Sequence, residues 1–341
     1  MSADVTRHGS RILPGVTLVC TVYREAAGIG EFLDSIAAMH AQPEEFIILD
    51  GGSDDGTVET IRERFATWEA GVQCRLIIDP SCTIASTPAP IAKGRNIAIR
   101  EARHDLIAVT DAGCLVDPDW LGAIVGPLLR EHSVTMVGGW YEPLIRNFFD
   151  ECQALASFRP PASVNAETFL PSSRSVAFRK RIWQAVGGYP EIGLAAEDTL
   201  FDLRVRSSGE RIVYESSAIV HWKLRPSVRL FGRLIYRYGV GDGFCRIERM
   251  NAVRNAGKLG VGLVLLGLGV AMHPAFIALA LVYWWLLPFV FKLREAFRIR
   301  RMAQYPVVAF LKIVSDLAYV SGFLVGWNSR AYPRYHRIPG S

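Results

Sequence analysis

The sequence predicts an α/β domain, with a mostly parallel central sheet flanked by helices, followed by C-terminal membrane helices. Short apolar runs alternate with stretches of helical spacing from residue 16 onward, and several of these runs stop on a polar residue. Residues 259–291 contain no Asp, Glu, Lys or Arg. Strand and helix alternating in this rhythm imply parallel strands joined by crossover helices. At 341 residues there is room for one large core and a second region.

The elements follow in order. VTLVCTV (16–22) is the first strand, and Phe32, Leu33, Ile36 and Met39 then recur at helical spacing. FIILD (46–50) is a second strand, closed by the turn-rich GGSDDGT and followed by a helix from Thr57. RLIID (75–79) is the third strand, APIAKGRNIAIREA (89–102) a loop entering a helix, and LIAVT (106–110) the fourth strand. Asp117-Pro118-Asp119-Trp120 reads as a helix start. Ligands of such sheets bind beyond the carboxyl ends of the strands, where Thr21, Asp50, Asp79 and Asp111 fall.

Further on, 175–180 reads as a strand, RIWQAVGGY as the start of a helix, 196–209 as a helix ending at Gly209, and 211–222 as an alternating strand. The stretch after it mixes Arg with Leu, Phe, Ile and Tyr, as in a basic amphipathic helix on a membrane surface, and glycines near residue 240 are expected to break it. The uncharged 259–291 would be about 50 Å long as one helix, too long for a bilayer core of about 30 Å. Two helices, 259–272 and 275–291, joined at His273-Pro274, are therefore expected. The basic KLREAFRIRR, Arg254 and Lys258 put both hairpin ends in the cytoplasm. Residues 306–327 form a third helix, spanning or interfacial, with Lys312 and Asp316 placed to pair. The expected organisation is a tail (1–14), the α/β domain (15–225), a basic interface segment (226–257), membrane helices (258–328) and a second tail (329–341).

A net charge of +5 suits a phosphate-bearing substrate or an acidic membrane surface, and no nucleic-acid motif is present. The six cysteines are scattered without metal-like spacing, as in a reduced cytosolic protein. MSADVTRHGSRILPG has no apolar signal core, so the soluble domain is expected in the cytoplasm at the inner membrane.

Five landmarks occur in order: TVYRE (21–25), ILDGGSDDGT (48–57), AKGRNIAI (92–99), TDAGC (110–114) and AEDTLF (196–201). With them, residues 15–225 resemble the inverting family-two glycosyltransferases of GT-A fold, membrane-anchored and of the bacterial surface-polysaccharide or glycolipid type. The resemblance implies sugar transfer from a nucleotide-diphosphate donor to an acceptor hydroxyl, with a lipid-linked acceptor expected. It implies that Thr21, Glu25 and Asp50 line the nucleoside pocket, although Gly51 stands where many relatives carry a second Asp. Lys93 and Arg95 are the basic pair that meets the donor. Asp111 matches the first acid of the family's DxD motif and Gly113 stands in place of the last, so Mg²⁺ or Mn²⁺ would lean on Asp111, substrate phosphates and His221. Asp198 is the expected general base, with Glu197 orienting the site.

Two other functions share parts of this pattern. A processive polysaccharide synthase would carry QxxRW after the acidic pair, where this chain reads RLIYRYGVGDG. A non-catalytic nucleotide-sugar-binding scaffold would explain Gly51 and Gly113 but not the retained Asp198.

Overall fold

The computed structural model describes residues 11–158, 164–193, 195–291 and 301–329. Both expected tails, apart from a few residues, and the basic run 292–300 lie outside the described residues. The chain divides into two compact units. One gathers the residues up to Glu142 and the stretch ending at Trp222; the other gathers the stretch from Pro143, with its helix, and the chain from Lys223 on.

The first unit opens with β1 (Arg11–Val22), α1 (Ala26–Ala37), β2 (Ala41–Asp50), α2 (Thr57–Ala66), β3 (Gln73–Ile78), α3 (Pro90–Glu101) and β4 (Leu106–Val109). Proline in the first turn starts α3, where its missing N–H costs nothing. Then come β5 (Cys114–Val116), α4 (Trp120–Arg130), β6 (Val134–Leu144), β7 (Val176–Arg179), α6 (Lys180–Ala185), α7 (Glu197–Ser207) and β8 (Arg211–Lys223), with α5 (Phe148–Ser157) belonging to the second unit. The eight strands lie in the order β3-β2-β1-β4-β7-β6-β8-β5.

The β3-β2-β1-β4 half is parallel, with Val22 level with Asp50 and Asp50 level with Ile78. Beyond β4 the pairings β4–β7, β7–β6 and β8–β5 are antiparallel. The sheet is thus mixed rather than mostly parallel. The departure comes from β6, whose VTMVGGWYEPL carries two glycines and a proline and does not read as a strand, although its first six residues are buried. The core under the sheet joins Val19, Ile47, Leu49, Ile107, Val109 and Phe178 to Phe201 and Val205 of α7. β4 is buried on both faces, which explains its unbroken apolar run.

The second unit consists of α5, α8 (Val228–Cys245), α9 (Arg249–Ala271), α10 (Ala275–Phe291) and α11 (Gln304–Trp327). The chain turns between α9 and α10 around His273-Pro274, as the sequence predicts, but α9 starts ten residues before its uncharged part and takes in Arg254 and Lys258. α9 and α11 are long and apolar enough to cross a membrane.

Glycines near residue 240 do not break α8; they pack it. Gly239 and Gly243 of α8 face Gly322 and Gly326 of α11 in register. A Cβ on Gly239 would strike the Tyr319 carbonyl, one on Gly243 the Phe323 carbonyl, one on Gly322 the Tyr236 carbonyl and one on Gly326 the Val240 carbonyl. Both helices therefore advance together with backbones touching, the small-xxx-small contact that apolar helix pairs use when side chains would hold them apart. Replacing Gly239 with Leu is expected to lower the stability of this pair by about 1–3 kcal/mol through overpacking. A fall in the unfolding temperature of the purified full chain checks it, and an unchanged temperature would contradict the contact.

Candidate active site

The β1 and β2 ends carry two loops that are sewn together. The Arg24 amide donates to Ser53 Oγ (2.8 Å), the Glu25 amide to Thr57 Oγ1 (2.9 Å) and the Ala26 amide to Asp55 (3.2 Å), while Arg24 pairs with Asp54 at 2.7 Å. Asp50 is fully buried and is used inside its own turn. Its Oδ1 accepts from the Gly52 and Ser53 amides at 2.7 and 2.6 Å, and its Oδ2 from Ser53 Oγ at 2.7 Å. Both of its oxygens thus shape the loop. Gly51 also has a steric reason: a Cβ there would come within 2.9 Å of the Cys82 carbonyl and 3.2 Å of the Tyr23 ring, so a second Asp does not fit this loop as it stands. Glu25 is exposed, and Thr21 is partly so.

Helix α3 comes down on these strand ends closely enough that a Cβ on Gly94 would sit 3.1 Å from both Thr21 and Leu49. The flanking cations go different ways. Lys93 reaches the Ser81 carbonyl at 3.4 Å, beside the turn that Asp79 caps by accepting from the Ser81 amide and hydroxyl. Arg95 is buried, its side chain 3% exposed, and forks. One nitrogen meets Asp111 Oδ1 at 2.6 Å and the other meets Glu197 Oε1 at 3.0 Å. The Tyr189 ring lies 5.4 Å from the guanidinium. Burial opposes this charge, but the carboxylates of Asp111 and Glu197 outweigh it and raise the Arg95 pKa.

α7 brings the acidic pair to Arg95. Ala196, immediately before it, takes a left-handed conformation (φ 71°), a position that costs a residue with a Cβ and turns the helix start sharply. Glu197 and Asp198 then occupy the first turn, with Arg204 and Arg206 in the last, both favourable for the helix dipole. Burial, and next the charge of Asp198, push Glu197 above the usual carboxylate range against the pull of Arg95. Asp198 is half-buried, and its Oδ1 accepts from the Thr199 amide at 2.8 Å.

Three residues absent from the sequence reading complete the cluster. Asn96 donates to the Tyr189 carbonyl (2.8 Å) and accepts from the Tyr189 amide (2.9 Å) and the Trp183 indole (3.1 Å), locking α3 to the segment ahead of α7. Tyr189 stacks on Phe201 with centroids 4.4 Å apart. Asp202, one turn after Asp198, is buried, and its Oδ2 has no hydrogen bond among the described residues. The one available signal was position: Asn96 follows Arg95 directly, and Asp202 sits four residues after Asp198 on the same helix face.

The metal question turns on donors. Among the described residues no group of three or more His, Cys, Asp or Glu could hold a metal ion, so no cage made of protein ligands alone exists. Asp111 is 30% exposed and has one oxygen on Arg95, which fits a hard cation that takes most of its ligands from phosphates and water. A Cβ on Gly113 would meet nothing within 4 Å. His221 lies in β8 opposite Leu115, and the structure does not bring it into any such ligand group with Asp111. Asp119 pairs instead with His40 at 2.9 Å, and Asp117 caps its turn by accepting from the Asp119 amide.

Residues 17–180 match the family described as Glycosyl transferase family 2. The chain carries a family 2 glycosyltransferase domain. The glycosyltransferase is 23% identical over 250 residues to glycosyltransferase AglE of Haloferax volcanii, covering 71% of this chain and 76% of that protein. It is 23% identical over 219 residues to the O-antigen chain rhamnosyltransferase WbaN of Salmonella anatum, covering 61% and 66%. Its fold is similar to that of mannosyltransferase PcManGT from Pyrobaculum calidifontis, solved with GDP-Man and Mn²⁺, with a TM-score of 0.56 at 17% identity over 94% of this chain and 89% of the other. The glycosyltransferase therefore has the GT-A-type architecture that the sequence predicts, with the mixed sheet described above.

Asp202 of the glycosyltransferase gives a pH signature. Burial, and then the charge of Asp198, push its carboxyl well above the usual range. An unfolded Asp titrates near 3.9, so the native state binds the proton more tightly and stability falls as pH rises from that value through the raised one. Asp202→Asn lacks this loss. Its stability relative to the unaltered protein, from urea unfolding, is expected to rise between about pH 4 and about pH 7. A difference that stays flat across that range would show that Asp202 titrates normally.

Proposed function

We propose that this glycosyltransferase inverts the anomeric carbon as it moves a sugar from a nucleotide-diphosphate donor to the hydroxyl of a lipid-linked acceptor, at the cytoplasmic face of the inner membrane. The observation that carries the reading is the double pairing of Arg95, which ties the Asp111 loop and the Glu197-Asp198 helix start into one polar cluster. Leaving-group chemistry and proton removal are the two tasks of such a transfer; Asp111 serves the first and Asp198, beside Glu197, the second.

In this mechanism Asp198 takes the proton of the acceptor hydroxyl while that oxygen bonds to the anomeric carbon. The bond from that carbon to the diphosphate oxygen breaks, and its electron pair leaves with the diphosphate. Mg²⁺ or Mn²⁺, when bound, supplies charge that neutralises the departing diphosphate, with Asp111 as its protein ligand. Arg95 positions Asp111 and Glu197 and remains charged throughout. Glu197 orients the helix start through Arg95, Lys93 meets the donor from the Asp79–Ser81 side, and Thr21 and Glu25 border the nucleoside, with Asp50 setting the shape of their loop.

Membrane placement is supported by the second unit. The α9–α10 hairpin leaves Leu263 and Val264 about as exposed as surface polar residues, at 61% and 62%, and Val270 at 87%. An apolar surface of this kind belongs against lipid. The proposed organisation keeps a catalytic domain (15–225), a basic interface segment (226–257) and membrane helices (258–328). A catalytic domain and apolar helices sharing one chain support a lipid-linked acceptor.

Asp198→Asn is expected to lower kcat for transfer by about 10²–10⁴-fold while donor affinity holds, as read by diphosphate release with Mg²⁺ or Mn²⁺ and a set of nucleotide sugars. Transfer at the unaltered rate would assign the base elsewhere. Gly113→Asp has room for its side chain and restores the second acid, so half-maximal activity is expected at a lower Mn²⁺ concentration. An unchanged or higher requirement would place the metal away from this loop.

A further inference from the structure

The second unit holds a charge cluster that sugar transfer does not use. Asp316 of α11 is 3% exposed and sits between two ammonium groups. Lys258 Nζ of α9 lies 2.7 Å from its Oδ2, and Lys312 Nζ, one turn earlier on α11, lies 3.6 Å from its Oδ1. At 3.6 Å the second contact is an ion pair without a hydrogen bond, and Oδ1 has no hydrogen-bond partner among the described residues. Lys258 and Lys312 are 10% and 14% exposed, so among the described residues two cations and one anion share a nearly dry site with one positive charge in excess. Arg254, exposed and one turn before Lys258, adds to it. Burying an uncompensated charge is costly, and an anion from outside would relieve that cost.

The location narrows the anion. Lys258 is the last charged residue of α9 before the uncharged 259–291 hairpin, and its carbonyl accepts from Tyr283 Oη of α10 at 3.0 Å. On α9 the cluster marks the root of an exposed apolar hairpin, which is the level at which a lipid carries its phosphate when α11 lies along the interface and not across the bilayer. Lysine ammoniums are compact point charges with several donors and suit a phosphate without demanding a planar partner. We propose that Lys312 and Lys258, steadied by Asp316, bind the net-anionic phosphate headgroup of a lipid. This rests on the membrane placement proposed above and extends it to a specific site.

The test uses the purified full chain in detergent, titrated with dioleoyl phosphatidic acid or dioleoyl phosphatidylcholine, with bound lipid counted by native mass spectrometry. The unaltered protein is expected to prefer phosphatidic acid, inorganic phosphate in large excess is expected not to displace it, and Lys312→Met is expected to bind it about fivefold more weakly. Lys312→Arg, which keeps the charge, is expected to retain the preference. Equal binding of the two lipids by the unaltered protein overturns the site, and that measurement needs no variant to fold. Full displacement by inorganic phosphate overturns the lipid assignment, and undiminished binding by Lys312→Met overturns the role of Lys312. No sugar nucleotide is present, so the outcome stands apart from that of the Asp198→Asn transfer assay, and binding of either lipid reports on membrane placement separately from the preference.

Discussion

A guanidinium with almost no water around it needs a counter-anion and acceptors for its N–H groups, and this requirement on Arg95 organises the catalytic unit. Asp111 comes from the loop after β4 and Glu197 from the start of α7, 86 residues apart in the chain. Neither could be drawn to α3 by sequence proximity. The pairing works because Asn96, the next residue, fixes the segment before α7, and because Ala196 accepts a left-handed backbone to aim the acidic turn. Removing one carboxylate would leave N–H donors of a buried guanidinium unpaired, a loss on the order of 1–3 kcal/mol.

The second unit solves a different problem. Where α8 meets α11, large side chains are withdrawn and two backbones touch through four glycines. Two polar pairs link the helices: Lys258 to Asp316 between α9 and α11, and Tyr319 to Asp242 at 2.6 Å between α11 and α8. Close backbone packing supplies the contact area, and these polar pairs select the register.

Much of this was legible in the sequence because of where apolar runs begin and end. β1 to β4 and their crossover helices each have a periodic signal, and the five landmarks fall on the loops and helix starts of the catalytic unit. The failures have physical causes. β6 hides because Gly138 and Gly139 lie where Phe169, Pro171 and Ala218 leave no room for a side chain, so a strand takes on the composition of a turn. The glycines of α8 misled in the same way, since a packing surface of small residues reads as a break when its partner is eighty residues away. Lys93 and Arg95 look like a pair in the sequence, yet two positions apart on a helix they point to different neighbours. The hub at Asn96 depends on contacts with a segment about ninety residues away, which no local pattern announces.

The turn built on Asp50 has one more consequence. Its carboxylate already holds three donors, and its neighbours already bond to the loop from β1, without help from any ligand. A loop that finishes its own hydrogen bonding has given up its conformational freedom during folding. Whatever enters beside it meets a rim whose ordering entropy was lost beforehand, so binding free energy need not be diverted to shaping that wall. Recognition there would resemble a rigid mould more than a closing hand.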